Sequence, residues 1–134
     1  MAGMTRIALL LATIAGLAAP AVAAADQDGQ TALAKAIAGM VPGAPVRCIS
    51  LSGITATEIV DGTAIIYRVG SRMYVNRPRS GAARLERRDI LLTRNVGTQL
   101  CDADRVRLVD PGSRAVRSQI VLGDFVPYTR AAAR

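Results

Sequence analysis

The chain has 134 residues, no histidine, no tryptophan and one phenylalanine, with 17 basic against 10 acidic side chains and a formal net charge of +7. The lack of histidine removes the usual general base, the commonest metal ligand and the physiological pH switch, which excludes serine–histidine and cysteine–histidine nucleophile pairs. Lys35 is the only lysine and alanine is abundant. That pairing reads as the codon bias of a GC-rich genome, so charge alone is a weak argument for an anionic partner.

Residues 1–25 read as a secretory signal peptide. Met1 to Arg6 is a short basic start, Ile7 to Ala19 an uncharged apolar run, and Ala21-Val22-Ala23 a small-x-small cleavage pattern, with Ala23-Ala24-Ala25 as an alternative. The apolar run is shorter than the roughly 20 residues a membrane-spanning helix needs. The mature chain is expected to start near Ala24 or Asp26 and to be exported, periplasmic or extracellular, with no transmembrane segment after cleavage. Its roughly 110 residues make one domain of common size.

Residues 26–45 are expected to be a leader. Leu33, Ile37 and Met40 fall at helical spacing within Gln30 to Met40, Thr31 stands at the start, and Gly39 and Pro42 at the stop. Pro42-Gly43-Ala44-Pro45 reads as a stiff connector.

The β domain is expected over 46–128. Val46 to Leu51 is a first strand containing Cys48. Ile54 to Val60 and Thr63 to Val69 flank Asp61-Gly62, a strong short hairpin signal. Gly70-Ser71 predicts a second tight hairpin into Arg72 to Asn76. Counting from these turns pairs Ile59 with Ala64, Thr57 with Ile66 and Tyr67 with Tyr74. One face then carries Ile54, Val60, Ile65, Tyr67, Val69 and Tyr74, the other Ile59, Ile66, Met73 and Val75. A strand apolar on both sides fits a barrel or sandwich.

Residues 77–88 form a basic loop. Asp89 to Thr93 is a buried strand, Gly97 to Leu100 leads to Cys101, and Arg105 to Val109 pairs with Ala115 to Leu122 across the Asp110-Pro111-Gly112-Ser113 turn. Gly123 to Tyr128 closes the domain, and residues 129–134 are expected to be a frayed tail. The fold class is all-β: a small single-domain barrel or sandwich of about six or seven short strands, after a signal peptide and a short N-terminal helix.

Cys48 and Cys101 are the only cysteines, and an even count in an exported chain reads as a disulfide. The alternatives are two buried thiols or a redox pair, though neither cysteine lies in a Cys-x-x-Cys motif. Arg77, Arg79, Arg84, Arg87 and Arg88 form a candidate anion-binding patch; a solvated loop is the plainer reading. Asp102 and Asp104 flank Ala103 as either a cation or acid–base pair or, more simply, a turn, since a full calcium loop carries more acidic positions. Tyr67 opposite Tyr74 reads as sheet stabilisation before a ligand platform. The serines include no Gly-x-Ser-x-Gly elbow. Nucleic-acid binding would want more stacking aromatics beside the arginines.

Several segments resemble a family of short exported proteobacterial proteins classed as a domain of unknown function. They are Cys48-Ile49, the Asp61-Gly62 hairpin with Ile65 and Tyr67, Tyr74-Val75-Asn76, Leu100-Cys101-Asp102-Ala103-Asp104, and Leu122-Gly123-Asp124-Phe125-Val126-Pro127. The match covers about Val46 to Tyr128 and implies location and fold type, with no activity attached. Members of that family often carry a further cysteine before the Leu-Gly-x-Phe stretch, where this chain has Ile120-Val121.

The expected function is therefore a non-catalytic exported β domain. It binds an unidentified envelope component, an anionic one if the arginines form a site, or contributes structure there. No catalytic residue, cofactor or metal is assigned, and nucleic acid is not an expected partner. The alternative is a small hydrolase or lyase using Glu58, Asp102 or Asp104 as acid or base.

Overall fold

The computed structural model describes residues 15–17 and 21–132, so most of the expected signal peptide lies outside the described residues. The element order is α1 (Ala21–Ala36), β1 (Met40–Pro42), β2 (Cys48–Ser50), β3 (Ile54–Val60), β4 (Ala64–Val69), β5 (Arg72–Asn76), β6 (Ile90–Thr93), β7 (Gln99–Cys101), β8 (Arg105–Val109), β9 (Val116–Val121) and β10 (Phe125–Arg130). The chain is mostly β, as its alternation and turns predict. Ten strands stand where six or seven are expected, because short pieces such as β1 and β7 carry too little pattern to be read. They form three antiparallel groups: a five-stranded sheet in the order β1-β10-β5-β4-β3, a pair β2-β7, and a three-stranded sheet β6-β8-β9. The sheets do not close into a barrel; the arrangement is a sandwich.

Both predicted hairpins form; the second keeps its predicted register and the first does not. Gly70 takes φ +61° at the first loop position, which suits a two-residue type II′ turn. Val69 then pairs with Arg72, and Tyr67 with Tyr74. At the first hairpin the left-handed residue is Gly62, φ +61°, in the second position. A two-residue loop with that geometry splays the strands, so Thr63 joins the loop. Val60 pairs with Ala64, Ile59 with Ile65 and Thr57 with Tyr67. A slip of one residue exchanges faces: Ile59 lies with Ile65 and Tyr67, and Val60 with Ile66 and Val75. Ile54 stays on the face of Ile65 and Tyr67, as expected, and is joined there by Ile59, because a bulge between Ile54 and Ala56 shifts the register again.

β4 is apolar on both sides because two different things cover it. One face carries Ile65 and Tyr67 into a core with Leu100, Leu108, Ile120 and Phe125 from the other strands. The other carries Ala64 and Ile66, with Val75 and Met73, against Leu33 of α1. The helix starts nine residues before the predicted Gln30. It seats on the β3–β4 turn through Gly29, where an added Cβ would stand 2.7 Å from the Asp61 carbonyl oxygen.

Two chain-end expectations are corrected. Residues 40–42, read as leader and connector, are strand β1, and Thr129 and Arg130, read as frayed, pair with Val41 and Met40. The backbone bonds of the two segments are mutual, so each becomes ordered only because the other is there.

Candidate functional site

Loop 77–89, the expected basic patch, is a stitched connection. Asp89 sits almost fully buried at its end and accepts a two-pronged contact from Arg117 of β9, with Arg117 Nε 3.1 Å from Asp89 Oδ1. The same guanidinium donates to the Arg84 carbonyl at 2.8 Å and lies 3.2 Å from Glu86 Oε1. The hydrogen bonds to Asp89 hold the Arg117 proton more tightly than usual, against the opposing effect of burial.

The five arginines are spread out by this arrangement. Arg77 donates to Gln30 Oε1 of α1 at 3.0 Å, and Arg79 to Asp102 Oδ2 at 2.7 Å. Arg84 donates to Ser118 Oγ at 3.1 Å, and Arg88 lies 3.6 Å from Glu86. Arg87 donates its backbone N–H to Asp61 and stands at the rim of a cleft. Their partners point toward different elements, and Arg79 and Arg88 have a carboxylate close by.

Cys48 and Cys101 are directly opposed in the β2–β7 pair and form the disulfide. The two aspartates beside Cys101 complete the same corner. Asp104 Oδ2 accepts the Cys101 N–H at 2.8 Å, and the Asp102 carboxylate bonds Arg79 and Arg47 across the turn. Ala103 takes φ +66° between them, the turn conformation that short polar neighbours support. Glu58 is elsewhere, on β3, and lines a different cavity from Asp104. Among the described residues, no group of three or more acidic or cysteine side chains is gathered to hold a metal.

A cleft with both apolar and ionisable lining lies between β3 and β6. Its volume is about 480 Å³, with Ile54, Ile59, Leu91, Leu100 and Tyr67 among its walls and Glu58, Arg87 and Asp89 among its polar lining. Both strands are sheet edges and are not hydrogen-bonded to each other. Elsewhere the bridge Ser80–Val121 ties β9, the other edge of the three-stranded sheet, to the loop after β5, and Val46–Phe125 ties β10 to the segment before β2. Tyr67 is 4 % exposed. Burial pushes its phenol well above the ordinary tyrosine range, with no hydrogen bond contributing. Its ring packs on Phe125 at 5.8 Å between centroids, tilted by 59°.

Sequence reasoning places Tyr67 opposite Tyr74 correctly but leaves it as a sheet contact. Its position on the same face as Ile65 was a signal that it points inward. Arg117 and Asp89 carry no local motif; their pairing follows from β9 crossing beside the loop. Comparison with protein families, curated proteins and solved structures finds no match.

Proposed function

We propose that the mature chain is an exported, non-catalytic β domain that acts in the cell envelope by binding or by structure. The observation that carries this reading is the Cys48–Cys101 corner. Its disulfide belongs to oxidising compartments, and the carboxylates most available for acid–base work, Asp102 and Asp104, are spent on holding it. No described helix is long and apolar enough to cross a membrane. The segments that resemble the exported family of unknown function point to the same compartment. The carboxylate-enzyme alternative is disfavoured because Glu58 and the two aspartates do not converge on one site.

The test is intact mass spectrometry of the protein from the periplasmic fraction, alkylated without reductant. The expected mass starts near Ala24 or Asp26, is lighter by two hydrogens and takes up no alkylating agent. A full-length mass with two alkylated cysteines overturns the reading. For an anionic partner, the protein should elute from a heparin surface at higher salt than an equally basic control. Elution with the control removes that version.

A further inference from the structure

We propose that the cleft between β3 and β6 binds a small amphipathic molecule, an apolar body bearing a carbonyl-type acceptor to which the Tyr67 hydroxyl donates. The inference rests on the binding reading above and gives it a ligand class.

Three observations carry it. The first is shape: at about 480 Å³ the cleft is within the roughly 300–1,000 Å³ of ligand pockets. It is open because the β3 and β6 edges are left unjoined, whereas the other edge strand of the three-stranded sheet, β9, is tied to the loop after β5 by Ser80–Val121.

The second is the unpartnered phenol. Tyr67 is 96 % buried by its 4 % exposure, and none of the hydrogen bonds among the described residues involves its hydroxyl. A polar atom sealed from all space and left unbonded occurs among the described residues at Asn95 Oδ1. The Tyr67 hydroxyl is not so sealed, and the space its residue lines is the cleft. Phenylalanine would fill the same core volume without the cost of desolvating a hydroxyl. The hydroxyl is therefore a donor waiting for an acceptor.

The third is the division of polarity. Leu91, Leu100, Ile54 and Ile59 supply the apolar wall, whereas Glu58 and Arg87 both line this cleft and a neighbouring one toward α1. Opposite charges in one lining disfavour a simple anion and suit a neutral or dipolar head. Asp89 is already held by the Arg117 fork, so it shapes the wall and leaves the ligand to Tyr67.

An added β-strand is the other occupant that two open edges would take. The β3 edge argues against it, because a bulge and the charged Glu58 are devices that blunt strand pairing.

Butyrophenone and n-butylbenzene are a matched probe pair, alike in apolar body and differing by the ketone. Each is titrated into the isotope-labelled mature protein while the methyl signals of Ile59, Leu91 and Leu100 are followed. Saturable shifts of these signals are expected, with butyrophenone bound roughly threefold to tenfold more tightly, the range of one net hydrogen bond. In Tyr67→Phe, whose fold is checked by its core methyl spectrum, the ketone preference should vanish or reverse in favour of n-butylbenzene, because the carbonyl is then buried without a donor. Thr93→Trp, which puts a large ring into the lining of the cleft, should abolish both. The proposal is overturned by absent or non-saturating shifts, by shifts mapping away from the cleft, or by an undiminished ketone preference in Tyr67→Phe. It is also overturned if the free protein is a dimer joined through β3 or β6, since a second copy then fills the seam. None of these outcomes alters the mass measurement that tests export.

Discussion

Asn76 and Gly123 hold each other through two reciprocal hydrogen bonds. Asn76 Nδ2 donates to the Gly123 carbonyl at 2.7 Å, and the Gly123 N–H donates to Asn76 Oδ1 at 2.9 Å. Asn76 is fully buried at the end of β5, and Gly123 lies in the connection from β9 to β10. The pair ties the five-stranded sheet to the segment that arrives from the three-stranded one. Asn76→Ala leaves two backbone groups of Gly123 without partners, and the expected loss is about 2–4 kcal/mol. At Gly123 an added Cβ would stand 2.3 Å from the Arg77 carbonyl oxygen, so Gly123→Ala should lose a similar amount by forcing two backbone segments apart. Urea unfolding of the mature protein checks both; a change below about 1 kcal/mol in either would contradict the role given to the pair.

The disulfide should dominate stability. Cys48 and Cys101 are 53 residues apart in sequence, and the chain-entropy model assigns such a loop roughly 4 kcal/mol. A domain of this size loses about 4–8 °C of Tm per kcal/mol. Reduction, or Cys48→Ala with Cys101→Ala, should therefore lower the Tm by about 15 °C or more. A melting curve unmoved by strong reductant would show that the β2–β7 pair is held by its other contacts.

The elements that could be read from the chain are those whose signal is local. The Gly70-Ser71 turn sets its own register, and two cysteines allow only one pairing. The Asp61-Gly62 turn misleads because its composition names a hairpin while its single left-handed residue, Gly62, sits one place too late for a two-residue loop. That one residue decides on which face Ile59 and Val60 lie. β1 is invisible because its three residues become a strand only beside β10. The cleft is not legible either. It arises where two edges fail to meet, and no residue pattern within β3 or β6 records the absence of a neighbour. Likewise Asn76 and Gly123, separated by 47 positions, look from the sequence like a strand end and a turn.

Tyr67 makes stability depend on alkaline pH. Its phenol is raised above the ordinary value of 10.0 by burial, so the folded state favours the protonated form. The contribution is fully present below the unfolded pKa and is lost as pH rises beyond it, because the unfolded chain then releases a proton that the folded chain keeps. Wild type should lose stability from about pH 9 to pH 11 more steeply than Tyr67→Phe. Parallel pH profiles of the two proteins would contradict this burial.

Arg117 and Asp89 should form the strongest side-chain pair of loop 77–89. The Asp89 side chain is 1 % exposed and the Arg117 side chain 32 %. Removing the cation leaves a buried carboxylate short of its main partner, and it also removes a donor from the Arg84 carbonyl. Arg117→Ala should cost about 2–3 kcal/mol. The contrasting case is Arg88 with Glu86, where both side chains are well exposed. Arg88→Ala should cost less than about 0.5 kcal/mol because water and salt screen such pairs. A double-mutant cycle separates the pair from its surroundings: Arg117→Ala with Asp89→Asn should cost less than the sum of the single changes by about 1 kcal/mol or more. Strict additivity would mean that the loop is held by its backbone bonds, among them Gly62 N–H to the Leu85 carbonyl at 2.9 Å, and that the arginine fork follows the loop instead of fixing it.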